Sequence, residues 1–175
     1  MISDMESTDN RHKYFMDLAL KEARYALSSG EFPVGCVMTL DNQVLVSGAR
    51  KCSSGYRPNE MDHAEMVTLR KLISLEGVDD YSRVRVYCTM EPCLMCYAAM
   101  ILSGIRFIVW AYEDIMGGGT RCDLSLLPPL YADNPVSIMP YFCRQESLEI
   151  FKSFFSNPNH GYWKGSLLAE YTLKQ

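Results

Sequence analysis

The sequence predicts an α/β domain in which helices cover the faces of a mixed β-sheet. Segments with strand-like patterns alternate along the chain with segments rich in helix-forming residues, which is typical of layered α/β domains. The first two predicted strands form a hairpin, so the sheet contains an antiparallel pair as well as strands joined through helices. The 175 residues show no internal repeat or linker, and we expect one domain over residues 1–175.

The chain is expected to begin with a tail and a helix. Residues 1–12 are polar and acidic, and we expect a flexible tail there. Residues 13–29 are rich in Ala, Leu, Lys, Glu and Met and precede Gly30, which predicts a helix followed by a C-terminal glycine.

A β-hairpin and a second helix are predicted next. Residues 34–40 and 44–47 flank the turn Asp41-Asn42-Gln43 and indicate the two strands of the hairpin. Residues 48–61 carry Gly, Ser, Pro and Asn and predict a loop. The second helix is expected to begin near Asp62, a suitable N-cap residue, and to continue through Leu72.

The second half of the chain repeats the alternation of strands and helices. Pro92 suits the first turn of a helix, and Gly104 suits its end. Residues 143–175 are expected to form a C-terminal helical extension. The predicted segments are strands at 84–88, 105–110 and 136–139, helices at 93–102, 145–155 and 163–173, and a long loop at 113–135.

Composition restricts the classes of protein to consider. No apolar stretch approaches 20 residues, so no membrane span is expected. The first residues resemble no export signal, and the number of cysteines is odd, seven, which favours reduced thiols and a cytoplasmic location. The net charge of −4 lowers the expectation of a large nucleic-acid partner, because such domains usually carry excess Lys and Arg.

Two short clusters contain the residues that could perform chemistry. The first is Asp62-His63-Ala64-Glu65, at the start of a predicted helix, and the second is Thr89-Met90-Glu91-Pro92-Cys93-Leu94-Met95-Cys96. Cys93 and Cys96 are three residues apart, so their sulfurs project from one face of the first helical turn. A helix N-terminus also favours the thiolate form that binds metals. With the imidazole of His63, the sequence offers a set of three metal ligands.

Three protein ligands are typical of catalytic rather than structural zinc, which is fully enclosed by four. Zinc with a free position lowers the pKa of a bound water to about 7, far below that of bulk water. Glu65 lies two residues after His63 and could transfer protons from this water to a substrate.

Other interpretations of these residues remain open at this stage. A structural zinc site would need a fourth ligand, for which Cys88 or Cys52 could serve. Arg50 and its neighbours Lys51 and Arg57 could be solvated or could hold a phosphate. Three glycines at 117–119 lack the sequence of a phosphate-binding loop and indicate a turn or a mobile lid.

The two clusters together resemble the signature of the cytidine deaminase-like superfamily of zinc deaminases, H-x-E followed by P-C-x-x-C. The resemblance implies a three-layer sandwich with a mixed sheet of about five strands and helices on both faces. It also implies one Zn²⁺ per chain held by His63, Cys93 and Cys96, with Glu65 as the catalytic proton shuttle.

Further segments resemble the bacterial tRNA adenosine deaminase branch of this superfamily. Residues 31–37, Glu-Phe-Pro-Val-Gly-Cys-Val, are similar to that branch's E-x-P-V-G-A-V, and residues 89–96 are similar to its T-L-E-P-C-x-M-C. The resemblance implies that Val34 packs on the substrate base and that Ala64 and Pro92 lie in the substrate pocket.

The chain departs from this branch at three places that concern the substrate, one of which is a longer connection from residues 48–51 to His63. Arg50 stands in a segment where the branch usually has an Asn that contacts base or sugar, and we expect Arg50 to contact substrate. Residues 156–161, Ser-Asn-Pro-Asn-His-Gly, replace the basic end of the branch's last helix, which grips RNA.

These departures and the acidic charge lead us to expect a small-molecule substrate, a purine-type nucleobase or nucleoside, with tRNA disfavoured. The first alternative is adenosine-to-inosine conversion at the wobble position of tRNA, as the similar segments imply. Further alternatives are a deoxycytidylate-type substrate, based on the basic residues 50–51, and an inactive zinc-stabilised scaffold subunit. The resemblance also implies a homodimer.

Overall fold

The computed structural model describes residues 2–55 and 57–175, and the side chains of these residues from Asp9 onwards. The described chain forms an α/β fold around a five-stranded sheet, as the sequence predicts. The helices are α1 (Ile2–Ser28), α2 (Ala64–Ile73), α3 (Leu94–Leu102), α4 (Pro129–Ala132), α5 (Arg144–Ser156) and α6 (Leu167–Lys174). The strands are β1 (Gly35–Leu40), β2 (Gln43–Ala49), β3 (Arg85–Met90), β4 (Phe107–Tyr112) and β5 (Ser137–Met139).

The sheet is mixed, with strand order β2-β1-β3-β4-β5. Strands β1 and β2 are antiparallel, and β1 also pairs antiparallel with β3, whereas β3, β4 and β5 are parallel. The hairpin turn has Asp41 and Asn42 at φ +50° and +65°. Positive φ at both positions matches the twist of the two strands, and Asp and Asn tolerate it better than most residues.

Alternating residues of the central strands divide the core into two clusters. Tyr87 and Val109 face a cluster that contains residues 15–23 of α1. Their neighbours Cys88 and Ile108 face the opposite cluster, which contains side chains of α2 and α3. Because successive strand residues point to opposite faces, helices cover both faces of the sheet and the domain has three layers.

Helix α1 packs unusually close to the sheet at Gly35. A Cβ atom on Gly35 would lie 2.1 Å from the carbonyl oxygen of Ala19 and 2.6 Å from the amide nitrogen of Ala23. The contact therefore depends on the absence of a side chain at this position.

The N-terminal segment differs from the sequence-based expectation. Residues 2–12, predicted as a flexible tail, belong to α1, while Met1 lies outside the described residues. His12 is only 3% exposed, and its Nδ1 atom is hydrogen-bonded to the Tyr87 hydroxyl at 2.9 Å. Burial of this ring against the sheet gives the polar segment a tertiary contact that composition does not reveal.

The N-terminus of α2 also differs from the prediction. His63, not Asp62, is the N-cap residue. The Asp62 carboxylate instead accepts hydrogen bonds from Arg70 at 2.6 Å and from Asn59 at 2.7 Å. In the second half, the long loop at 113–135 contains the short helix α4, and the C-terminal segment contains α5 and α6. In the part of the chain that the structure describes, no helix is both long and apolar enough to cross a membrane.

Candidate metal centre

The three predicted ligands converge where two helices begin. His63 is the N-cap residue of α2 and Cys93 is the N-cap residue of α3, and neither side chain caps its own helix. Cys96 lies one turn into α3. The Cys93 and Cys96 sulfurs lie 3.5 Å and 3.6 Å from the same atom, Nδ1 of His63. The side chains are thus directed at one another instead of at the free backbone amides of the helix ends.

These distances match the spacing that a tetrahedral zinc ion would impose. With zinc–sulfur bonds of about 2.3 Å and zinc–nitrogen bonds of about 2.0–2.1 Å, ligand sulfur and nitrogen atoms are separated by about 3.6 Å. All three donor atoms lie within 4.8 Å of one another. The geometry and the chemistry of the donors therefore fit zinc.

Protonation of the two thiols is strongly unequal. The hydrogen bond from Cys96, together with that from His63, lowers the pKa of Cys93 to about 4, although burial opposes this change. The same hydrogen bond, together with burial, raises the pKa of Cys96. The cluster therefore readily supplies one thiolate, and a cation between the sulfurs would favour the second.

Glu65 lies beside the cluster in the first turn of α2. Its side chain is 3% exposed, and its Oε2 atom lies 3.7 Å from the Cys96 sulfur. Burial raises the pKa of Glu65 to about 7, and the neighbouring His63 opposes this effect. A carboxyl group with a pKa near neutrality can both accept and donate a proton at physiological pH, as a proton shuttle must.

Neither residue proposed as a fourth ligand for a structural site joins the cluster. The Cys88 sulfur lies 3.8 Å from that of Cys36, in the core of the sheet. Cys52 is exposed in the loop after β2. Within the described residues, the group of possible metal ligands consists of His63, Cys93 and Cys96, which corresponds to the three-ligand arrangement of catalytic zinc.

A cavity of about 50 Å³ opens next to the cluster. Three of the four predicted substrate residues, Val34, Ala64 and Arg50, line it. Pro92 is not part of the described lining, and its carbonyl accepts a hydrogen bond from the Gly119 amide at 2.8 Å. The remaining lining residues are Phe32, His63, Glu65, Met90, Glu91, Cys93, Asp114, Tyr162, Trp163 and Leu168.

Sequence reasoning missed a polar network at this cavity. Glu60 Oε2 lies 3.6 Å from His63 Nε2, the ring nitrogen that faces away from the sulfurs. The same carboxylate accepts hydrogen bonds from Arg50 at 3.0 Å and from the Tyr162 hydroxyl at 2.9 Å. The Glu60 carboxylate thus joins Arg50 and Tyr162 and lies within ion-pair distance of the outer nitrogen of His63.

The structure decides between the interpretations that the sequence left open for Arg50 and for the triple glycine. Solvation was one interpretation of Arg50, but the side chain is buried, whereas Lys51 and Arg57 are exposed. The triple glycine belongs to a turn, one of its two expected conformations: residues 115–117 form the turn, and Gly118 and Gly119 pack against Glu91 and Cys93. Gly118 pairs with Cys93, and a Cβ atom there would lie 2.5 Å from the Glu91 carboxylate. The absence of side chains lets this loop approach the Glu91 carboxylate and the backbone of Cys93.

The α/β domain thus places a His-Cys-Cys centre, with the three protein ligands of a catalytic zinc site, beside a buried carboxyl group that can carry protons. The family model described as the cytidine and deoxycytidylate deaminase zinc-binding region matches residues 9–112, more than half of the chain. The chain belongs to this family. The zinc-dependent deaminase activity predicted from the two clusters is thereby confirmed as the class of reaction.

Individual relatives are similar over most of the chain. The tRNA-specific adenosine deaminase of Agrobacterium fabrum is 31% identical over 81% of this chain and 92% of its own length. The tRNA-specific adenosine deaminase 2 of Xenopus tropicalis is 30% identical over 83% of this chain and 90% of its own length. A solved structure from studies of A-to-I editing by tRNA:A34 deaminases is 30% identical, with a TM-score of 0.65, and covers 79% of this chain and 99% of its own.

Proposed function

We propose that the chain hydrolyses the exocyclic amino group of an adenine-type base, with adenosine in tRNA as the first candidate substrate. The observation that carries this choice is the similarity to tRNA-specific adenosine deaminases over more than four fifths of the chain. This similarity favours adenosine in tRNA, the first alternative given by the sequence analysis, over the small-molecule substrate that was expected there.

The arrangement of the centre supports the following roles. His63, Cys93 and Cys96 would hold the metal ion, with Glu60 orienting the imidazole. When bound, a zinc ion with three protein ligands acts as a Lewis acid that activates water at neutral pH.

Glu65 performs the proton transfers. As a carboxylate it takes a proton from the attacking water while the new C–O bond forms at the carbon that bears the amino group. As a carboxylic acid it gives this proton to the adjacent ring nitrogen. In a second transfer, Glu65 takes the proton of the new hydroxyl group and gives it to the amine, so that the C=O bond forms as the C–N bond breaks and ammonia leaves. Its pKa of about 7 suits both directions of transfer.

Val34 and Ala64 provide apolar surface to the same cavity. Both side chains are buried, and the Val34 carbonyl accepts a hydrogen bond from the Arg50 amide at 2.9 Å, which fixes the end of β2 beside the cavity. A flat heteroaromatic base could pack on this surface while its amino group faces the metal centre.

A free purine base or nucleoside is the second candidate, and one structural feature favours it. Tyr162 and Trp163, between α5 and α6, line the cavity and pack with Phe32 at ring-centroid distances of 5.2 Å and 6.5 Å. The C-terminal segment thus covers the pocket, and the volume of about 50 Å³ is far below the 300 Å³ at which ligand pockets begin. An RNA substrate requires this segment to move further than a free base does.

Ammonia release with matched substrates tests both candidates. The zinc-loaded protein is incubated with an anticodon stem-loop that carries adenosine at the wobble position, with free adenosine, adenine and guanine, and with deoxycytidylate. Preference for the stem-loop, with an apparent affinity that falls steeply as salt rises, is expected for the first candidate. Activity on the free purines alone selects the second, and activity on deoxycytidylate alone contradicts both.

A further inference from the structure

Arg50 is a buried cation, and one of the two terminal nitrogens of its guanidinium group (one arm) has no hydrogen-bond partner among the described residues. The residue is 3% exposed, and its Nη1 atom is buried without a hydrogen-bond partner in the described part of the chain. The side chain lines the same cavity as His63 and Glu65. Because an unpaired buried donor on a charged group is costly, the position is expected to be satisfied by something that enters the cavity.

The other arm of the guanidinium is already engaged. Its Nη2 atom donates to Glu60 at 3.0 Å and lies 3.4 Å from the Tyr162 hydroxyl oxygen. The guanidinium carbon also lies 5.8 Å from the centre of the Tyr162 ring. These contacts hold the planar group in one orientation, with a single arm left for a ligand.

We propose that Arg50 is a specificity-determining residue whose Nη1 group donates a hydrogen bond to an acceptor atom on the edge of the substrate base. For an adenine-type substrate, the acceptor is a ring nitrogen remote from the reacting amino group, N3 or N7. This inference rests on the proposed function, since it needs a base in the cavity.

The surroundings of Arg50 favour a neutral acceptor over a phosphate. The carboxyl groups of Glu65, Glu91 and Asp114 line the same cavity, and an anion there would face all three. Arginine also binds phosphate best with two parallel hydrogen bonds, whereas one arm of Arg50 is held by Glu60. A single lone pair on a ring nitrogen matches the one donor that is free.

Substrate analogues combined with variants of Arg50 test the proposal. Adenosine, 3-deazaadenosine and 7-deazaadenosine are compared, free and within the anticodon stem-loop, with the zinc-loaded wild type and with Arg50→Lys. Lysine keeps a cation beside Glu60, but its single nitrogen cannot serve both Glu60 and the base. Lys21→Met is the control, since Lys21 is an exposed cation of α1 that does not line the cavity.

In the wild type, we expect kcat/KM to fall about 10- to 100-fold for one of the two deaza analogues, as for loss of a hydrogen bond to a charged group. In Arg50→Lys, kcat/KM with adenosine should fall by a similar factor. This variant should act on the sensitive deaza analogue as well as on adenosine, and its zinc content should equal that of the wild type. Lys21→Met should behave as the wild type.

The inference would be overturned if the ratio of kcat/KM for adenosine to kcat/KM for each deaza analogue were the same in Arg50→Lys as in the wild type. A loss in Arg50→Lys that is confined to nucleotides would assign the residue to a phosphate and would overturn it as well. If the wild type released no ammonia from any purine, the proposed function itself would fail, so the two failures can be distinguished.

Discussion

The Glu65 carboxyl group lies 3.7 Å from the Cys96 sulfur, although the two residues belong to different helices. Glu65 is in the first turn of α2 and Cys96 is in the first turn of α3. Both helices begin beside the same end of the sheet, so their N-termini bring a buried carboxyl group next to the candidate metal ligands. Burial of the carboxyl group then raises its pKa towards neutrality.

Replacement of Glu65 by Gln should abolish catalysis and leave the metal centre in place. The amide has nearly the same shape but cannot carry a proton between water and substrate. We expect ammonia release to fall by a factor of about 10² to 10⁴, the usual contribution of general acid–base catalysis. Zinc content, measured on the same samples, should remain at one ion per chain.

Glu76→Gln is the matched control, because Glu76 is exposed in the loop after α2. It should retain wild-type activity. An active Glu65→Gln enzyme with normal zinc content would show that the proton transfers use another group.

Replacement of Cys93 by Ser should remove the zinc. A hydroxyl group binds zinc far more weakly than a thiolate, and Cys93 is the thiol with the lowered pKa in the cluster. We expect an affinity loss that exceeds the 10- to 100-fold typical of residues that only support a ligand. Metal analysis after dialysis against a chelator measures it.

Cys122→Ser serves as the control for this change, since Cys122 is partly exposed and outside the ligand group. Retention of one tightly held zinc ion by Cys93→Ser would argue that the metal is held elsewhere.

The candidate site residues could be predicted from sequence because they form two pairs, and each pair lies within a few residues of the start of one helix. His63 with Glu65, and Cys93 with Cys96, are local spacings whose geometry the helix determines. The contact between Glu60 and Tyr162 joins residues 102 positions apart, and no local pattern indicates such a pair.

Element boundaries were less predictable where burial continues past the end of an element. Ile105 was placed in a strand because it is apolar, and it is buried in the core, but its amide donates to the Met100 carbonyl of α3 and β4 begins only at Phe107. Similarly, the polar residues 2–12 continue α1, and at least His12 is buried against the sheet. The polarity of a residue can be read from the sequence, but the backbone conformation at these positions depends on tertiary contacts that the sequence does not show directly.

The ion pair between Glu113 and Arg144 should make stability depend on pH. Glu113, after β4, is 5% exposed and accepts hydrogen bonds from Arg144 at 2.8 Å and from Tyr171 at 2.7 Å. Burial raises its pKa, but the hydrogen bonds outweigh this effect and hold the pKa below its ordinary value of 4.5. The stabilisation is therefore present above pH 4.5 and is lost as the pH falls through the lowered pKa of the folded state.

Glu113→Gln should destabilise the protein at pH 7 by about 1–3 kcal/mol, the range for a hydrogen bond to a charged group. The difference from the wild type should shrink as the pH falls below about 4.5. Urea denaturation of both proteins at a series of pH values measures this difference in stability.

Glu149→Gln is the control. It removes an exposed contact to Lys152 at 3.8 Å and should change stability by less than about 1 kcal/mol. A pH-independent difference for Glu113→Gln would contradict the ionic role.

Replacement of Gly35 by Ala should destabilise the fold through the contact between α1 and the sheet. The added Cβ would lie 2.1 Å from the Ala19 carbonyl oxygen, so helix or strand must shift. Because backbone atoms surround the position, we expect a cost at the upper end of the 1–3 kcal/mol typical of overpacked cores, or about 3 kcal/mol. Thermal and urea unfolding of the zinc-loaded protein measure this cost. Gly161→Ala is the control, since no atom lies within 4 Å of a Cβ at that position. If both variants unfold at the wild-type midpoint, α1 does not pack on β1 as closely as the structure shows.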